Sequence, residues 1–224
     1  ESFKNRVALP ATGSLKNFRE VIFHEITHAI QYNVMYGEGI RSYNTLYKSL
    51  FVPTWVMEGL AEYCSQDNST EGEMVLRDAV INGRVPRISE MEGFDHLDEP
   101  YLAYKVSQAV FEYMEKRFGP ETPAKFLHYY ASELGTAGVF KKILNMSQED
   151  FERDFMFQMS KKYWAQVQGR EKYEKYGPRL TNAKSQTPVY YQGAEFSPDG
   201  SKIAFISTEE GHPRRSGRQA SQHP

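Results

Sequence analysis

At 224 residues the chain has room for one good-sized domain and part of another. It is 40% apolar and 25% charged with a formal net charge of −2, a balance that gives no reason to expect nucleic acid or an anionic membrane as its main partner. The single cysteine, Cys64, excludes an internal disulfide framework and any multi-cysteine metal site, and no apolar run approaches the length needed to cross a bilayer.

The chain begins at Glu1 rather than a methionine and is expected to be a piece of a longer protein, so the lack of a targeting segment carries no information. Residues Arg6 to Leu9 read as a short strand, and the Pro/Thr/Gly turn after it leads to Ser14, a plausible helix N-cap. From there Leu15, Phe18, Ile22, Ile26, Ala29 and Ile30 recur at helical spacing, with Val21, His24, His28, Tyr32 and Met35 as a neighbouring stripe. This pattern predicts a helix up to about Gly37 whose functional face is largely buried.

Within that helix stands His24-Glu25-Ile26-Thr27-His28. Residues four apart lie one turn apart on the same face, so both imidazoles project in one direction. Two neutral imidazoles so placed can supply two of the three protein ligands of a catalytic zinc, and Glu25 can reach the zinc-bound water as general base. The bland alternative is a helix with two structural histidines and an incidental glutamate.

A short helix is expected around Ser42 to Leu50. The segment PTWVMEGLAEYCS then opens on Pro53, a residue favoured in the first helical turn. Trp55, Glu58 and Glu62 share one face of it, while Met57, Leu60, Ala61 and Cys64 cover the other. Buried carboxylates are costly unless paired or bound to metal, so Glu58 is a candidate third zinc ligand. Glu62, one turn on, would accept a hydrogen bond from the outer nitrogen of a ligating histidine. Gly59 and Ala61 are small enough to let this helix approach the histidine helix closely.

Together, HEITH and the downstream PTWVMEGLAEY resemble the paired motifs of the gluzincin metallopeptidases, an H-E-x-x-H helix followed by a W-x-x-E-G-x-A helix. The resemblance implies a zincin-like fold, zinc ligation by His24, His28 and Glu58, and a catalytic base at Glu25. The segment from Tyr104 to Phe111 is similar to the Y-E-K-G-A-x-V-L helix of zinc aminopeptidases, with Val106 and Ser107 in place of Lys and Gly. That similarity implies a tyrosine donating to the oxyanion opposite the zinc, with Tyr104 as candidate and Tyr101 as fallback.

Further helices are predicted over Ser69 to Asn82, with Met74, Val75, Ala79 and Val80 inward, and over Tyr101 to Phe118, stopped by Gly119-Pro120. Between them Arg84 to Pro100 reads as an acidic loop suited to a lid or cleft wall, with His96 solvated. Helices over Pro120 to Glu133, Thr136 to Leu144 and Ser147 to about Lys175 complete a helical half. His128 reads as a core histidine, and Phe151, Phe155, Met159, Tyr163 and Val167 as a buried stripe. The fold class expected is mainly α (α+β), a zincin-like domain over residues 1–180.

At Thr181 the composition changes to a linker, and VYYQGAEFSPDGSKIAFIST then alternates around Pro198-Asp199-Gly200, a hairpin signal. Its F-S-P-D-G-S-K-I-A-F is similar to the repeat that opens each blade of TolB-like β-propellers, so residues 181–211 are expected to be a linker and one propeller repeat. Residues 212–224, polar and without periodicity, are expected to form a disordered tail.

Two functions from different classes are carried forward. The first is zinc-dependent peptide hydrolysis, more endopeptidase than aminopeptidase because VALPATG holds no acid to grip a substrate amino terminus. The second is a non-catalytic envelope binding or scaffold protein with a structural or vestigial zinc site. By the same resemblance, peptidase-plus-propeller chains look like exported bacterial envelope proteins, which implies the periplasm or cell surface, with a peptide or protein as substrate and a propeller domain in the longer chain.

Overall fold

The computed structural model describes residues 13–36, 52–65, 69–132, 136–171, 175–178, 191–207 and 214–219, together with Leu9 and Leu180. The chain is mainly helical with a small sheet, and it divides into two compact units, Glu1–Gln168 and Gly169–Pro224. The division thus falls at Gly169 rather than Thr181. The strand expected over Arg6 to Leu9, apart from Leu9 itself, and the helix expected over Ser42 to Leu50 lie outside the described residues.

In the first unit α1 (Leu15–Tyr36), α2 (Thr54–Ser65), α3 (Thr70–Ile81), α4 (Pro100–Phe118), α5 (Thr122–Ser132), α6 (Thr136–Val139) and α7 (Gln148–Val167) follow in order. α4 is the central element: α2, α3 and α5 all pack on it, and α1 lies against α2 and α5. Trp55 anchors α2 in this core. Its ring is fully buried, 5.7 Å from the rings of Phe111 and Phe126 and 6.3 Å from that of Phe140. Burying side chains of this size contributes about 1.5–3 kcal/mol each before entropy is counted, so this aromatic cluster is what holds α2 in register with α4.

The helix ends follow local chemistry. Ser69 accepts a hydrogen bond from the Gly72 amide at 3.0 Å, and Ser147 accepts one from Asp150 at 3.0 Å, each covering an orphan donor of the first turn. The Asp150 carboxylate reaches back to accept from the Ser147 hydroxyl and also pairs with Arg153. α4 stops at Gly119, whose φ of +105° no helix can continue. α7 ends at Val167, short of the expected Lys175, with Gly169 at a φ of +79° two residues on. Past α6 the chain widens into a turn of π-helix over Phe140–Leu144, where the sequence reads as plain α-helix, and leaves it through Asn145 in the left-handed region.

Several side chains face other ways than periodicity suggested. Leu15 is 87% exposed and Ile30 56%, and Ile26 is exposed too. α1 turns Gln31 and Met35, not that apolar stripe, into the unit. On α3 it is Leu76, with Ala79 and Val80, that is buried, while Met74 is exposed. His128 is exposed, because α5 spends its inward face on Phe126, Leu127 and Tyr130. Gly59 faces α4, not α1: a Cβ there would stand 2.6 Å from Ser107 Cβ. The loop from Arg84 to Glu99 does specific work, since the carbonyls of Glu92 and Met91 accept the Thr54 and Trp55 amides at 2.8 and 3.2 Å and so cover the start of α2. His96 is exposed.

The second unit contains an antiparallel meander of β1 (Tyr191–Phe196), β2 (Lys202–Ser207) and β3 (Arg214–Gln219). Tyr191 pairs with Ser207 and Phe196 with Ile203, with an irregularity between Gln192 and Glu195. The turn is closed by Asp199, which accepts from the Ser197 hydroxyl at 2.6 Å and the Ser201 amide at 3.1 Å, with Gly200 at a φ of +69°. The tail expected to be disordered from residue 212 instead supplies β3. Its pairing with β2 runs through backbone groups of an open strand edge, which a polar sequence satisfies as well as an apolar one.

Candidate metal centre

α1 and α2 meet so that three side chains point at one spot. His24 Nε2 and His28 Nε2 are 3.1 Å apart, and Glu58 Oε2 lies 3.3 Å from the first and 3.5 Å from the second. A tetrahedral first-row ion with bonds of about 2.0–2.1 Å separates its ligands by about 3.3 Å. The triangle therefore has the size such an ion requires. Among the described residues this is the one group of three or more His, Cys, Asp or Glu side chains that could hold a metal ion.

The outer ring nitrogens are also engaged. Glu62 Oε1 lies 3.3 Å from His24 Nδ1, and Gln31 Oε1 lies 2.8 Å from His28 Nδ1. Both acceptors call for an N–H at Nδ1, which leaves each Nε2 lone pair facing inward for a metal. Gln31 is fully buried, and its amide nitrogen donates to the Met57 carbonyl at 2.8 Å, so one side chain ties α1 to α2 while orienting His28. Sequence reasoning passed over Gln31. The signal was its place three residues after His28, on the same helix face.

Glu25 and Tyr104 line the same cleft as the three candidate ligands, a space of about 520 Å³ that Glu20 also borders. The Phe94 ring meets the Tyr104 ring edge-on at 4.9 Å and fixes its plane. Tyr101 is not among the residues that line this cleft; its ring lies 5.6 Å from the Lys105 ammonium. The charges match this crowding. Burial opposes a charge on His24, but the hydrogen bonds and charges of Glu58 and Glu62 outweigh it and raise the imidazole to about 9. Burial likewise pushes Glu58 up, yet hydrogen bonds from His24 and His28 win and hold it down at about 2. Burial, then the negative charges of Glu58, Glu62 and Asp95, raise the Tyr104 phenol, which keeps it a hydrogen-bond donor. With three acceptor atoms this close, a positive charge must sit among them, as a proton or as a metal ion.

Compared with protein-family models, with curated proteins and with solved structures, the chain matches none.

Proposed function

We propose that this chain is a zinc metallopeptidase of gluzincin type, more endopeptidase than aminopeptidase, in which His24, His28 and Glu58 hold the metal. The observation that carries the reading is the inward convergence of two Nε2 atoms and one carboxylate oxygen within 3.5 Å of each other. A nitrogen-and-oxygen donor set of this size, with both histidines backed by acceptors, suits zinc in a catalytic rather than a structural role, because it leaves the fourth position open. Bound there, zinc would polarise the scissile carbonyl and lower the pKa of a water.

The chain's own residues divide the remaining work. Glu25 takes the proton of the attacking water and delivers it to the leaving amine. Tyr104 donates its phenol hydrogen to the oxygen on which negative charge grows, an interaction strongest in the transition state. Glu62 and Gln31 keep the imidazoles in place. The substrate is a peptide or protein, the likeness of the second unit to a propeller repeat suggests a longer chain with such a domain, and an exported setting in the bacterial envelope suits that architecture.

Metal analysis of the purified chain tests the centre: about one equivalent of zinc is expected, lost in Glu58→Ala. A peptide-library digest tests the chemistry, with cleavage expected from wild type and not from Glu25→Gln. Equal cleavage by both would refute the mechanism. Zinc retained with no cleavage by either would leave a binding protein with a structural zinc.

A further inference from the structure

Lys105, on α4, is 2% exposed, and its stem crosses the first turn of α3 close to Gly72. A Cβ at position 72 would stand 3.1 Å from Lys105 Cδ. The ammonium donates to Glu62 Oε2 at 2.6 Å and to Gln108 Oε1 at 3.2 Å. Burying such a charge costs several kcal/mol, and replacing buried ion pairs by apolar side chains is often neutral or stabilising. Stability alone therefore gives no reason for a lysine in this slot. What an ammonium does that a methionine cannot is occupy one oxygen of the Glu62 carboxylate and leave the other for a different partner. That partner is His24, whose Nδ1 lies 3.3 Å from Glu62 Oε1.

We propose that Lys105 is a positioning residue of the metal centre: its buried ammonium fixes the Glu62 carboxylate and, through it, the ring orientation that aims His24 Nε2 at Glu58 and His28. A carboxylate has a broad terminal torsion, so removing the ammonium 2.6 Å from Glu62 Oε2 loosens the carboxylate that His24 Nδ1 faces. With the anchor, α1, α2 and α4 are joined in one line, from His24 through Glu62 to Lys105. Sequence alone gave no hint of this, since 43 positions separate Glu62 from Lys105.

The inference rests on the metal-centre reading above, and the tests separate the two. In the full chain, Lys105→Met keeps the stem volume and removes the ammonium. Zinc affinity, measured by competition with a chromophoric chelator, is expected to fall about 10–100-fold, the range for loss of a partner behind a ligating histidine. Glu62→Gln should fall comparably, and the double variant no further than Glu62→Gln alone, because both act through one contact. Losses that simply add, or no loss in Lys105→Met, would overturn the proposal. So would an equal affinity loss in Phe155→Leu, a core substitution on α7 serving as control for general destabilisation.

A second readout needs no metal. By NMR in the presence of a chelator, the His24 Nδ1 proton should exchange slowly with water in wild type and on the order of ten times faster in Lys105→Met, where the carboxylate it faces is loosened. Unchanged exchange would overturn the proposal. If wild type took up no zinc, the metal reading would fall, and this exchange measurement would still decide what Lys105 does to His24. Should Lys105→Met not fold, Lys105→Leu, which likewise carries no donor, is read in the same way.

Discussion

Gly59→Ala places a methyl group where α2 meets α4. The new Cβ would stand 2.6 Å from Ser107 Cβ, 2.8 Å from its carbonyl carbon and 2.9 Å from its carbonyl oxygen. Two of these three atoms are backbone, so no change of rotamer relieves the clash. Ordinary contact begins near 3.4 Å, and the helices must part by about 0.8 Å. Overpacking of this kind costs about 1–3 kcal/mol, and here the upper end applies because the obstacle is main chain. Alanine regains about 1 kcal/mol of helix propensity, which leaves a net loss of about 2 kcal/mol. For a unit of this size that is a fall in Tm of about 4–8 °C. The displaced helix carries Glu58 next to the substitution, and a shift of 0.8 Å is large against a metal bond of about 2 Å, so zinc affinity should fall by at least about tenfold. Thermal melts with chelator present and a zinc competition assay read the two effects. Gly138→Ala, with no atom within 4 Å of its added Cβ, is the control expected to keep or raise Tm. A Gly59→Ala variant with wild-type Tm and wild-type zinc affinity would refute the close approach of α2 to α4.

Gln31→Leu keeps the side-chain volume but strands the His28 Nδ1–H, at about 1–3 kcal/mol for a buried group left unpaired, and removes the added donor on the Met57 carbonyl; urea melts should register the loss, and zinc affinity should drop about 10–100-fold. Tyr104→Phe removes the phenol from the cleft, so kcat should fall on the order of 10²–10³-fold while zinc affinity stays unchanged, and equal turnover would exclude it as the oxyanion donor. The metal-free protein should be most stable between about pH 4.5 and 6.5. The raised His24 contributes fully below its ordinary 6.5 and loses that contribution as pH climbs through about 9. The lowered Glu58 contributes above its ordinary 4.5 and loses it as pH falls toward about 2. Zinc must displace the His24 proton, so its affinity should rise about tenfold per pH unit up to about pH 9, as titrations at several pH values would record.

Much of this molecule was legible in the sequence wherever one turn of helix decides the outcome. His24 and His28 lie side by side because residues four apart on any α-helix do, and the same rule sets Glu58 and Glu62 one turn apart. Ser69 and Ser147 cap their helices through contacts three residues long, and Asp199-Gly200 makes its turn within five residues. These interactions are fixed by backbone geometry before anything packs.

What the sequence could not supply is which face of each element meets which neighbour. An apolar stripe on α1 shows that Leu15, Ile26 and Ile30 share a face, and says nothing about whether another element covers it. Gly59 was legible as a place for close approach, yet only packing assigns that approach to Ser107 of α4. Gln31 reaches a carbonyl 26 residues away, and Lys105 reaches a carboxylate 43 residues away. Such pairs depend on the relative placement of α1, α2 and α4, which the buried aromatic cluster around Trp55 decides through many weak contacts and no local signal.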